Sequence, residues 1–149
     1  MSDETDAGLF LEAQETVWPA VISELSAGRK TSHSMWFVFP QLAALGRSDM
    51  SQLYGIHDLA EARAYLAHPV LRGRLIEVSA LMLTHRGTAP ESILGTIDAR
   101  KLRSSMTLFA AVPSAPPVFA EVLAAFFDGT PCETTQALLA QSATDRSRL

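Results

Sequence analysis

Cysteine occurs once, as Cys132, in this chain of 149 residues. That excludes an internal disulfide and a thiolate metal cluster. Histidine is also scarce: His33, His57, His68 and His85 fall in no HExxH or HxH spacing. Neither a metal site nor a cofactor is therefore expected. No apolar run approaches the roughly 18 residues needed to cross a bilayer. The acidic, polar start MSDETDAG is unlike a secretory signal or a transit peptide. These absences lead us to expect a cytoplasmic protein with no membrane partner. Cations are outnumbered, 12 Lys and Arg against 16 Asp and Glu, for a net charge of −4. Nucleic acid, which needs a basic face, is an unlikely partner on that balance. A local basic patch at Arg100, Lys101 and Arg103 remains compatible with it. P-loop, GxGxxG and GxSxG signatures are missing, so the usual nucleotide and hydrolase motifs are not available. There is no repeat, heptad series or hairpin signal.

What remains is an apolar chain, 48% hydrophobic and 19% charged, long enough for one continuous core. We expect a compact, all-α, single-domain multihelical bundle over residues 7–141, with several short helices. Residues 1–6 and 142–149 are expected to be flexible tails. The chain is organised around Gly28–Gly46, GRKTSHSMWFVFPQLAALG. Its run Met35-Trp36-Phe37-Val38-Phe39 must be buried on most sides. Burial draws Lys30, Ser32 and His33 towards the interior or the rim of a cleft.

In order, a helical stripe runs from Phe10 through Trp18 to Leu25, with a break expected near Thr16–Trp18 because Pro19 cannot donate to the preceding turn. Gly28 suits a helix C-terminus. Met35–Phe39 reads as a buried helical turn ended by Pro40, followed by a short turn at Gln41–Leu45. Ser48 or Asp49 caps a short helix. Asp58 caps Leu59–Ala67, with Glu61 completing a capping-box pattern. Pro69 opens the next helix, to about Thr84–Gly87. Arg72 and Arg74 in its first turns are either a solvated face or anion contacts. A short turn at Ala89–Ser92, a helix capped by Thr96, a helix over Val118–Phe127 and a last helix ending at Gln141 complete the set.

The helix after Thr96 is the most informative. At about 100° per residue, Asp98, Leu102, Met106 and Phe109 fall on one buried stripe, with Lys101 and Ser105 on or beside it. Arg100, Arg103 and Thr107 point away. An acid, a cation and a hydroxyl therefore share a face that should be apolar, and such groups need partners. One account is internal: Asp98 bonds Lys101, and Ser105 bonds back to the Lys101 carbonyl. The other brings Lys30 and His33 to the same place, forming a polar cleft. In that account Lys30, Ser32, Lys101 and Ser105 hold a phosphate or carboxylate and Trp36 stacks on a planar ring. His33 is then the general acid or base, and Asp98 orients a cation or activates water. Either way, Lys30 or His33 should lie within side-chain reach of Asp98 or Ser105. Cys132, distant in sequence from both clusters, reads as an inert thiol.

The words GRKTSHSMWFVFPQLAALGRSDMSQLYGI, EARAYLAHPVLRGRL and DARKLRSSMTLFAAV, in this order, resemble a widespread bacterial domain-of-unknown-function family, sometimes labelled "calpastatin". The resemblance runs from about Phe10 to Leu139. It implies a compact all-helical domain and no established activity. A tryptophan usually stands in that family where this chain has Ser34, which would leave a larger or more polar pocket here. A looser similarity, SHSMWF followed by an alanine-rich helix and HP, links the chain to riboflavin-biosynthesis-associated N-glycosidases of nucleotide or ADP-ribose linkages. It transfers no residues. The function expected is an enzyme or binder for an anionic, nucleotide-like metabolite, with N-glycoside hydrolysis as the reaction hinted. The alternative is a non-catalytic interaction or structural domain whose polar clusters brace the core.

Overall fold

A computed structural model describes residues 7–31, 35–46 and 48–147, with side chains to residue 141. Nine α-helices occur among the described residues: α1 (Ala7–Ser26), α2 (Met35–Val38), α3 (Asp49–Leu53), α4 (Leu59–Ala67), α5 (Pro69–Leu83), α6 (Pro90–Leu94), α7 (Thr96–Ala110), α8 (Val118–Phe127) and α9 (Glu133–Ser147). A 3-10 turn at Ala43–Leu45 follows α2. The β contact among these residues is one isolated parallel bridge, Leu42 with Ile56. The all-α class expected from the periodicity holds.

Capping residues place most helix starts where sequence puts them. The Asp58 carboxylate accepts the Glu61 amide at 2.9 Å, and α4 begins at the next residue. The Glu61 carboxylate meets His57 Nδ1 at 2.8 Å. His68 caps α5 ahead of Pro69. Three boundaries differ from expectation. α1 runs unbroken through Pro19. Pro19 and Glu15 lie on the exposed side, so the Glu15 carbonyl that loses its donor faces solvent. α7 is capped by Gly95, with Thr96 as its first residue. Gly95 has φ +87° and ψ 163°, a region that costs any other residue dearly. α9 continues past Gln141 to Ser147.

α7 sits at the centre, packed against α8, α6, α9 and α4, while α1 and α8 both lie on α5. A line of aromatic rings crosses the interior. Phe10 meets Tyr65 edge-on at 5.1 Å, Tyr65 meets Phe109 at 5.3 Å, and Phe109 meets Phe119 at 6.0 Å. Each such pair contributes about 0.5–1.5 kcal/mol beyond its buried area. Gln14, fully buried, is the polar joint of this core. Its Nε2 donates to the Phe37 carbonyl at 2.7 Å and to the Tyr65 hydroxyl at 3.2 Å, and its Oε1 accepts from Arg74 at 3.2 Å. Arg74 also pairs with the exposed Glu15 carboxylate at 2.9 Å, so this arginine joins the core to the surface. By holding Phe37, Gln14 fixes α2 and with it the neighbouring Trp36.

Candidate functional site

Two segments build the site. After α1, Gly28 turns the chain at φ +76°, and the Lys30 amide donates to the Ile93 carbonyl at 2.8 Å. That bond ties the segment to α6, directly before the Gly95 turn that launches α7. Asp98 and Lys101 leave the first turns of α7. The Lys101 ammonium lies 3.7 Å from Asp98 Oδ1 and 3.4 Å from the centroid of the Trp36 ring. Lys30 is 8% exposed. Burial lowers its pKa, the neighbouring Asp98 and Glu24 carboxylates oppose that, and Lys101 adds to it. The two polar clusters therefore meet: Lys30 and Trp36 from one, Asp98 and Lys101 from the other.

Ser32 and His33, assigned to the same cleft from sequence, lie outside the described residues, as does Ser34. Ser105 is fully buried one turn beyond Lys101. Its hydroxyl does not bond back to the Lys101 carbonyl and has no hydrogen-bond partner among the described residues. The back-bonding role is taken by its neighbours instead: Ser104 donates to the Arg100 carbonyl at 3.1 Å and Thr107 to that of Arg103 at 2.7 Å. Thr107, expected on the outer face, is buried. The reason is that α7 is covered on that side too, by the segment leading into α9. Arg103 Nε donates to the Thr130 carbonyl at 2.9 Å, and the Cys132 amide donates to Thr107 Oγ1 at 2.9 Å. Arg100, as the helix phase requires, is exposed.

This packing leaves an open groove of about 660 Å³ between α7 and the start of α9. Arg100, Lys101 and Arg103 line it, along with Ser104, Cys132 and one carboxylate, Glu133. Leu45 and Ile97 supply an apolar wall. Lys101 thus belongs both to the inner cluster and to the groove. The guanidinium of Arg103 is held 5.7 Å from the Phe127 ring centroid. Cys132, read from sequence as remote, stands against α7 with its sulfur 3.5 Å from Ser104 Oγ. The missed signal is positional: Cys132 directly precedes the last helix and its carbonyl accepts the Gln136 amide, making it the N-cap. Among the described residues no cluster of three or more His, Cys, Asp or Glu could hold a metal. None of the helices formed by these residues is long and apolar enough to cross a membrane.

Fold and site together define an all-helical domain with a basic groove along its central helix. The chain belongs to the family described as protein of unknown function DUF1810, which it matches over residues 4–139. It is similar to the conserved hypothetical protein Rv1873 from Mycobacterium tuberculosis, known from a crystal structure. The two are 47% identical with a TM-score of 0.86, over 88% of this chain and 94% of that one. No curated protein matches the chain.

Proposed function

We propose that the protein binds a small anionic metabolite in the groove between α7 and the start of α9. The observation carrying this reading is that Arg100, Lys101 and Arg103 line one open groove that presents a single carboxylate, Glu133. Guanidinium pairs suit the planar geometry of phosphate and carboxylate. The volume falls within the roughly 300–1,000 Å³ of small-molecule sites. Leu45 and Ile97 would take an apolar part of the ligand, which favours a nucleotide-like molecule over a bare ion. Trp36 and Asp98 would act from behind by fixing Lys101. Where the ligand carries an N-glycosidic bond, Asp98 is our candidate to activate water and His33 our candidate acid or base. Ser32 and Lys30 would then hold the anion. This catalytic extension rests on the sequence pattern and is tested by product formation from ADP-ribose-type substrates. A cytoplasmic setting is part of the same reading.

A rival reading is favoured by one specific contact. Lys101 already has the Trp36 ring and the Asp98 carboxylate as partners, which a purely bracing role explains. A thermal-shift series with phosphate, nucleotides and ADP-ribose separates the two. A ligand at 100 times its dissociation constant stabilises by about 2.7 kcal/mol. Arg100→Ala should keep the unliganded stability within about 0.5 kcal/mol and reduce the ligand-induced shift. Silence across the series would establish the bracing role in place of ours.

A further inference from the structure

The groove holds a nucleophile that the anion-binding role does not use. Cys132 is half-buried at the mouth of α9, and its amide and carbonyl are both engaged, by Thr107 and Gln136. Its position is therefore rigid. Ser104 Oγ points to the sulfur at 3.5 Å, although the same hydroxyl has an alternative acceptor in the Arg100 carbonyl. A second hydroxyl is more telling. Thr135 Oγ1 is fully buried next to Cys132, yet meets no hydrogen-bond partner among the described residues. A buried orphan hydroxyl is costly, and a charged sulfur would give it an acceptor. Arg100, Lys101 and Arg103 line the same groove, against one opposing carboxylate, Glu133.

We propose that Cys132 is a reactive thiolate that exchanges with anionic low-molecular-weight disulfides seated in this groove. The inference rests on the groove accepting anions. Its chemistry follows from what lines the groove. No described histidine does so, which leaves the Glu133 carboxylate as the one general base that the described lining offers to acyl or phosphoryl transfer. Thiol–disulfide exchange needs none once the thiol is ionised. The Cys132 sulfur attacks one sulfur of the disulfide. A new S–S bond forms as the old one breaks, the Cys132 sulfur is oxidised, and the departing half leaves as a reduced thiolate. The three cations favour both the approaching anion and this leaving group. Ionisation is favoured too. Burial alone would raise the thiol pKa, but the Ser104 hydroxyl, the Thr135 hydroxyl once it turns to the ionised sulfur, and the Thr135 and Thr134 amides bring it below the usual value.

The experiment uses the full chain with glutathione disulfide and, in parallel, the uncharged bis(2-hydroxyethyl) disulfide, each followed by intact mass spectrometry. Both rates are normalised to an unstructured cysteine peptide. Glutathione disulfide should form one mixed disulfide about tenfold faster than the peptide does. The uncharged disulfide should show a smaller advantage. Arg100→Glu should lower the first rate severalfold and the second by a smaller factor. Thr135→Val, which preserves shape and removes the hydroxyl, should slow both. Peptide-like rates with both disulfides would overturn the proposal, and so would equal acceleration of the two. Cys132→Ser, run in the phosphate and nucleotide thermal-shift series, reports on anion binding alone. A retained shift beside an inert Cys132 rejects this inference and spares the binding role. A lost shift in both proteins rejects the binding role.

Discussion

The Lys101 ammonium stands 3.4 Å over the Trp36 ring, joining α7 to the short α2 helix. With the Lys101 side chain only 17% exposed, this contact is largely sheltered from water. A double-mutant cycle with Trp36→Leu and Lys101→Met should therefore give a coupling of about 1–2 kcal/mol in urea denaturation. Additivity of the two changes would show that the ring and the cation merely lie side by side.

Lys30 makes stability depend on pH in a definite sense. Its pKa in the fold lies below the ordinary 10.5 because burial disfavours the charged form. Between the folded and unfolded values the unfolded chain binds more protons, so stability rises with pH in that window. Below the folded value the full penalty for burying the charge applies. Wild type should accordingly gain stability relative to Lys30→Met as pH climbs towards 10.5. A difference between the two that stays flat across this range would contradict the assignment.

Gly28 and His85 form a second close joint. A Cβ on Gly28 would stand 3.0 Å from the imidazole, whose Nε2 is 2.6 Å from the Leu25 carbonyl. Gly28→Ala must also adopt φ +76°. We expect a loss of about 1–3 kcal/mol. Adding His85→Ala should recover the steric part and leave the backbone part. Full recovery would show that the left-handed conformation carries no cost.

Ser105→Ala should be neutral or stabilising, by up to about 1–3 kcal/mol, since it removes a buried hydroxyl that bonds nothing described. Ser105 does not line the groove, so the phosphate-induced thermal shift should persist. Loss of that shift would return Ser105 to the ligand-holding role its sequence position suggested.

Local chemistry explains which parts of the molecule were legible. The Asp58 cap, Pro69, and the apolar pattern of Val118–Phe127 act within a few residues, and the helices they define fall where they predict. The all-α class and the family resemblance hold as well. The meeting of the two segments at Trp36 and Lys101 was also foreseeable, because one core had to absorb both flanking apolar runs. Helix phase failed at Thr107 for a specific reason. It assumes one buried face, whereas α7 is enclosed by α8, α6, α9 and α4. Only the fold brings Cys132 against Ser104, 28 residues away along the chain. Their proximity is a product of tertiary packing and leaves no periodicity to read.

Enclosure of α7 has a consequence for solvent exchange. Residues Ser105–Phe109 are all buried, so their amide protons should exchange with deuterium only when the whole domain unfolds. Their exchange rates then report global stability residue by residue. A ligand that binds only the folded state slows all of them by the same factor, whichever atoms it touches. The central helix is thus a built-in gauge for occupancy of the groove by any ligand tested against it.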